Sequence, residues 1–340
     1  MPKKKIKSGR ALLIVLALLG LLGGFAFRSA YLSNLKAVNP DTETNIRFDI
    51  DPGSSVEQIG KALFAKELIS SPWTFKLYVK LNADETAFRA GSFVLRQSLG
   101  VAEIVEKLSS EQGEMWITIL EGWRLAEVAD YLAEKSHIEK GAFLDCAKNC
   151  EFEHEILSSL PEDQSLEGYL FPDTYIITPQ TESYGVINRA LNNLEAKFDE
   201  ELRARAARQD RSVHEVLTMA SLLEREVRSY KNRQIVAGIL WKRLEAGMGL
   251  GVDASVLYAL GDWKATLDYE ALQIDSPYNT RKYASLPPGP ICNPSLSSIK
   301  AALYPEESSY WFYLTTLDTG EVIYSKNLAE HNANVARYLR

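Results

Sequence analysis

Seventeen consecutive residues, Ala11 to Phe27, carry no charge, and this run constrains the chain before any other feature does. As a helix it would be about 25 Å long, at the short end of what a bilayer core requires. Lys3, Lys4, Lys5, Lys7 and Arg10 precede it, and Arg28 closes its far side. Lys and Arg concentrated on one flank hold that flank in the cytoplasm. The expectation is therefore a cytoplasmic tail over residues 1–10, an uncleaved single-pass inner-membrane anchor over residues 11–27, and an extracytoplasmic chain beyond it. The competing reading is a cleaved signal peptide. Its apolar stretch would ordinarily be about 7–15 residues, and Gly24-Phe25-Ala26 makes a poor cleavage site.

The remainder is globular in composition. The 340 residues are 46% hydrophobic and carry a net charge of −7, so no basic field draws the chain to nucleic acid or anionic lipid. Cys146 and Cys150 lie four apart and can pair if the chain between them turns favourably, while Cys292 stands alone. The four histidines lack the spacing of a zinc site, and neither a metal nor a cofactor is expected.

Residues 28–45 are polar and aperiodic, suited to a tether. Order is expected from Ile46, where Ile46-Arg-Phe-Asp-Ile50 alternates as a half-buried strand, Pro52-Gly53 turns, and Ser55 caps a helix with Val56, Ile59, Leu63 and Phe64 on its apolar face. The pattern returns 69 residues later. Ile117 to Leu120 reads as the strand, Gly122 matches Gly53, Leu125, Val128 and Leu132 match Val56, Ile59 and Leu63, and Ile138 matches Ile69. A further strand at Gly91 to Leu95 and a helix at Val101 to Leu108 complete a small module over residues 46–110. The fold class is α+β: this module followed by a larger α+β domain over residues 111–340.

Chemistry is most legible between Ser212 and Val227. Ser212 and Glu215 have capping-box spacing, and at about 100° per residue Val213, Val216, Leu217, Ala220 and Val227 gather on one face around Glu224, with Glu215 and Glu226 opposite. A carboxyl group among apolar residues is costly as an anion, so Glu224 is expected to hold its proton near neutral pH, as a general acid must. The alternative is a buried glutamate satisfied by an arginine or by backbone donors.

Residues 219–226, Met-Ala-Ser-Leu-Leu-Glu-Arg-Glu, resemble the signature of the MltG/YceG-like family of endolytic murein transglycosylases. Further motifs agree in family order: Glu121-Gly-Trp123 ending its strand, Glu167 to Tyr175, Asp253 before Val256-Leu-Tyr258, Ser276-Pro-Tyr-Asn-Thr280, Leu286 to Pro294, and Asn327 to Asn332. Gly251 and Val252 depart from the Gln or Thr common in the family before that aspartate, and the three cysteines are not part of the pattern. Residues 46–110 are similar to the LysM-like module of wall enzymes, with a plain α+β spacer as the other reading.

The resemblance implies a membrane-anchored lyase that cuts the MurNAc-GlcNAc β-1,4 bond of nascent glycan strands, leaving 1,6-anhydro-MurNAc ends and limiting strand length. It implies Glu224 as catalytic residue, acid then base. Substrate contacts are expected from Glu167, Tyr169, Asp173, Ser221, Asp253, Tyr278, Asn279, Thr280, Asn293, His331 and Asn332. Several have plainer readings: Asp253 as a helix cap, His331 and Asn332 as caps of the last helix, Leu286-Pro-Pro-Gly-Pro as a rigid turn. Expected partners are peptidoglycan strands, the membrane through residues 11–27, and peptidoglycan synthases as candidates. Two alternatives are a muramidase using Glu224 with Asp253 or Glu167 as second carboxylate, and a non-catalytic wall-binding scaffold.

Overall fold

The computed structural model describes residues 6–339 apart from residues 43, 52, 84–87, 89, 111–114, 179, 264 and 317, with side chains described for all of these except 6–15, 17, 20 and 110. Among the described residues the chain is α+β, with thirteen α-helices and three two-stranded sheets, and it divides into two compact units at Met115.

The first unit opens with α1 (Ile6–Asn34). Its described apolar side chains, such as Leu21, Leu22 and Phe25, are 64–74% exposed. Among the described residues no helix is long and apolar enough to cross a membrane. The expected anchor falls inside α1, and its side chains at residues 11–15, 17 and 20 lie outside those described. Beyond α1 come β1 (Ile46–Ile50), α2 (Val56–Ala65), α3 (Pro72–Asn82), β2 (Gly91–Leu95) and α4 (Val101–Ser110). The strands pair antiparallel with Phe48 opposite Phe93, so the alternation of β1 turns Phe48 and Ile50 inward and Arg47 and Asp49 outward. The helices bury Val56, Ile59, Leu63, Phe75, Val79, Ile104 and Leu108 against that face. Gly60 sits mid-helix because a Cβ there would come 3.0 Å from the Phe75 ring, so the side chain is absent where α2 and α3 approach most closely.

The second unit begins with the same plan. In it β3 (Met115–Thr118), α5 (Leu125–Lys135), α6 (Lys140–Asn149), β4 (Thr174–Ile177) and α7 (Ser183–Lys197) follow in order, with β3 hydrogen-bonded to β4. The 69-residue offset holds at the level of single groups. Gly53 and Gly122 have φ of +79° and +78°, the left-handed turn that glycine adopts without strain. Gln58 accepts the Ser55 N–H at 2.8 Å, and Glu127 accepts the Arg124 N–H at 2.9 Å. Val56, Ile59, Gly60 and Leu63 are buried as Leu125, Val128, Ala129 and Leu132 are, and Ile69 and Ile138 are both buried. The repeat is longer than the strand and helix read from sequence, since it embraces a whole β-α-α-β unit. Cys146 and Cys150 form a disulfide with Cα atoms 4.7 Å apart at the end of α6, and Cys292 is free and buried.

The helices α8 (Glu200–Ala207), α9 (Val213–Glu226), α10 (Tyr230–Glu245), α11 (Asp253–Leu260) and α12 (Leu296–Leu303) follow. The hairpin β5 (Phe312–Thr315) and β6 (Val322–Ser325) and the helix α13 (Leu328–Tyr338) end the chain. Ser212 caps α9 in the expected box, its Oγ accepting the Glu215 N–H while Glu215 accepts the Ser212 N–H. Helix α9 is not amphipathic in place, however: every residue from Val216 to Leu223 is buried, because α8, α10, α11 and α12 pack around it. Its polar members bond to the helix itself, Thr218 Oγ1 to the His214 carbonyl and Ser221 Oγ to the Thr218 carbonyl, each at 2.7 Å.

Candidate active site

Glu224 stands in the last turn of α9, where burial gives way to an open cavity of about 500 Å³. The cavity is lined by Glu224 to Arg228 and by the β5–β6 turn at Thr315, Thr316, Asp318, Thr319 and Gly320. The carboxylate is held from two sides. Arg233, on the first turn of α10, donates from Nη2 to Oε1 at 2.7 Å. Ser295, the cap of α12, donates to Oε2 from its backbone N–H at 2.9 Å and from Oγ at 2.5 Å. The arginine is fixed in turn, since it also donates to the Val227 carbonyl, Ser295 Oγ and Ser297 Oγ. Both side chains are under 10% exposed.

This corrects the environment expected at Glu224. Its surroundings are a cation, a hydroxyl and a helix N-terminus rather than apolar groups, and all of them stabilise a negative charge. Three other carboxyls hold their protons above the usual glutamate range. Glu226 is half-buried, and its carboxyl is pushed up to about 7 by burial and by the nearby charge of Asp253, against the donated hydroxyl of Tyr313 at 3.0 Å. Glu167 is buried, accepts the Leu125 N–H at 2.9 Å and the Tyr258 hydroxyl at 3.4 Å, and is pushed up to about 8 by burial. Glu121, exposed at the mouth of the β3–α5 turn, is raised by partial burial and by the charge of Glu224.

That turn is built against Glu224. The Gly122 N–H donates to the Asn293 carbonyl at 2.9 Å, the Asn293 N–H donates to the Trp123 carbonyl at 2.8 Å, and a Cβ on Gly122 would lie 3.8 Å from Glu224 Cγ. With φ of +78° and the Arg225 side chain 3.4 Å from the same point, only glycine brings the backbone this close without strain.

The other expected contact residues divide by burial. Tyr169 donates or accepts with His214 Nδ1, Ser221 accepts the Ile291 N–H, Asn279 bonds to the Leu272 and Ile274 carbonyls, Thr280 bonds to Ser255 and Val252, and Asn293 spans Leu170 and Trp123. All five are buried, with their polar atoms committed to protein partners. Tyr278 packs against Tyr258 with the rings tilted by 47° and their centroids 4.7 Å apart, and Asp173 accepts from Asn193 and the Thr174 N–H. The cavity at Glu224 is lined by the end of α9 and the β5–β6 turn. Asp253 opens α11 without capping it and pairs with Arg281 at 2.7 Å. Asp253, Arg281 and His331 line a second cavity of about 740 Å³, which shares Arg225, Glu226 and Thr315 with the first. Asn327, not His331 or Asn332, caps α13, and Asn332 is exposed.

Sequence reasoning missed Arg233, Ser295 and Glu121. Glu121 and Ser295 carried a signal, the first in its Glu-Gly-Trp motif and the second as a serine opening an apolar helix. Arg233 carried none, because only the α9–α10 packing brings it to Glu224.

Comparison with known proteins agrees with this architecture. The YceG-like family is matched over residues 48–337. A Bacillus subtilis protein named endolytic murein transglycosylase is 33% identical over 320 residues, covering 90% of this chain and 88% of that protein. A Streptococcus pneumoniae protein of the same name is 29% identical, covering 96% of this chain, which spans 64% of the pneumococcal protein. The crystal structure of a YceG-like protein from Listeria monocytogenes matches with a TM-score of 0.59 and 33% identity, over 86% of this chain and all of that one. Matched over nearly its whole folded length, the chain belongs to the YceG-like family.

Proposed function

We propose that this chain is an endolytic peptidoglycan lytic transglycosylase, a lyase that cleaves the MurNAc-GlcNAc β-1,4 bond of glycan strands and leaves 1,6-anhydro-MurNAc ends. The observation that carries the reading is Glu224. It is a fixed carboxylate at the edge of an open polar cavity, within a family whose relatives bear that name.

The chemistry asks for little else. As the glycosidic bond breaks, positive charge grows on the sugar ring and negative charge on the departing oxygen, so a proton must arrive there. The C6 hydroxyl of the same muramic acid then closes on C1, and its proton must be withdrawn. No water attacks. A carboxylate held by Arg233 and Ser295 is preorganised to offset the ring's charge and to take the hydroxyl proton without first reorganising its own hydrogen bonds. The polar turn at Thr315 to Gly320 supplies hydroxyl and backbone groups across the cavity, suited to sugar hydroxyls.

The exposed apolar face of α1 and the basic residues before it support an anchor over residues 11–27, with the N-terminus in the cytoplasm and the catalytic unit facing the wall of a single-pass inner-membrane protein. The Cys146–Cys150 disulfide fits that oxidising side. The module at residues 46–110 is LysM-like and would hold glycan beside the bilayer, limiting the length of nascent strands, with peptidoglycan synthases as natural neighbours.

The test is digestion of purified sacculi by the full-length chain and by its Glu224→Gln variant. Anhydro ends from the first and a drop of about 10²–10⁴ in their rate from the second are expected. Undiminished cleavage by the variant refutes the assignment.

A further inference from the structure

The second cavity, of about 740 Å³, has no part in breaking the bond, yet it shares Arg225, Glu226 and Thr315 with the cavity at Glu224. Its size falls within the range of about 300–1,000 Å³ that holds small organic ligands. Two features of its lining bear on what it holds.

The first is charge. Three guanidinium groups, of Arg225, Arg243 and Arg281, line it against two carboxyl groups, of Glu226 and Asp253, in a chain whose net charge is −7. Asp253 is matched by Arg281, and Glu226 accepts the Tyr313 hydroxyl at 3.0 Å. Arg243 is 7% exposed and donates to the Trp311 and Leu250 carbonyls at 2.8 and 2.5 Å. Arg225 lies over the Trp263 ring, 4.1 Å from its centroid, a contact that neutralises none of its charge. Among the described residues no carboxylate forms an ion pair with Arg225 or Arg243. The second feature is a polar atom. Nδ1 of His331 is buried without a hydrogen-bond partner, and its ring stacks on Phe312 with centroids 5.3 Å apart. A buried imidazole nitrogen in that state is costly until a donor or acceptor meets it, and a peptide group offers both. Met248, Leu314 and Val335 add apolar surface beside these groups.

We propose that this cavity is the subsite for the peptide stem borne by the muramic acid at the scissile bond. The assignment rests on the lytic reading given above and names the part of the substrate that is recognised. That sugar carries its stem on the lactyl group at C3 of the ring whose C1 must lie at Glu224, so the stem leaves the first cavity only a few bonds from the reacting carbon. Arg225 stands where the two cavities meet and takes a stem carboxylate, a partner its planar fork of donors suits. His331 meets a backbone amide of the stem, and Arg243, anchored to two carbonyls, supplies fixed positive charge behind it. Glycan that still carries its stems is thereby held by contacts that bare glycan lacks.

The full-length chain is offered uncrosslinked glycan with tetrapeptide stems, the same glycan stripped by an amidase, and the same glycan with its stem carboxylates converted to methylamides. New saccharide ends of every kind are counted. A charge-assisted contact is worth roughly 10- to 100-fold, so kcat/KM on the stem-bearing strands should exceed that on the other two by this factor, chiefly through KM. Within the Arg225→Gln variant the three substrates should come within about threefold of one another, while Arg225→Lys, which keeps the charge, should restore part of the preference. Equal cleavage of stem-bearing and stripped strands by the parent overturns the proposal. So does a preference that survives methylamidation, a comparison that needs no variant, and so does one that survives Arg225→Gln. A preference seen on reducing ends in place of anhydro ends would instead remove the lytic reading and leave the subsite standing.

Discussion

Arg233→Met is the perturbation whose outcome the site geometry fixes most tightly. Methionine keeps much of the apolar stem and removes the guanidinium, taking donors from the Val227 carbonyl, Ser295, Ser297 and Glu224 at once. Glu224 is 7% exposed on its side chain, so its charge cannot be handed to bulk water. Breaking one side of a buried ion pair costs about 3–5 kcal/mol, chiefly through the charge left behind. For a unit the size of Trp116–Arg340 each kcal/mol moves the midpoint by about 2–4 °C, so the melting transition should fall by about 6–20 °C. Glu224→Gln in the same background removes the stranded charge while Ser295 can still donate to the amide oxygen, so the double variant should recover about 2 kcal/mol relative to Arg233→Met alone. Calorimetry on the parent, the two single variants and the double variant measures this coupling. A loss below about 1 kcal/mol for Arg233→Met, or a double variant no more stable than it, would show that the pair does not carry the energy its burial implies.

Three further outcomes follow from single groups. Burial raises the Glu226 carboxyl from 4.5 to about 7, so over that window the folded chain binds a proton that the unfolded chain has released, and stability falls as pH rises through it. Glu226→Gln should flatten that part of the profile, and an unchanged slope in urea titrations between pH 5 and about 7 would contradict the burial argument. Gly168 has φ of +81°, and a Cβ there would meet the Pro290 ring at 2.2 Å, so Gly168→Ala should cost about 2–5 kcal/mol from backbone strain and overlap together, with a midpoint unchanged on melting refuting the contact. Reporter fusions placed after residue 40 should be active only outside the cytoplasm, and a mature N-terminus found near residue 27 or 31 would remove the anchor.

Some of this was readable from sequence because it is local. The Ser212–Glu215 box set the start of α9, and the 69-residue recurrence of glycine and apolar positions fixed two matching turns, since one strand and one helix need only their own periodicities. What failed was non-local. The helical wheel put Glu224 on an apolar face and Glu226 on the opposite one, and it could say nothing of what packs against either, because a wheel contains one helix. Arg233, the cap of α12 and the β5–β6 hairpin decide both environments, and they arrive from up to about 90 residues downstream. The polar loop residues Asn279, Thr280 and Asn293 were legible as polar motifs, but not their burial on protein partners, because a loop that must be buried needs side-chain partners for its backbone and only the fold supplies them.

The central claim is that the glycosidic bond is broken without water. Digesting sacculi with the full-length chain in ¹⁸O-labelled water, and weighing the new saccharide ends, measures this directly. The account predicts anhydro ends free of the label, formed at a rate that collapses in Glu224→Gln. Labelled reducing ends would mean that water is the nucleophile and that the chain is a hydrolase.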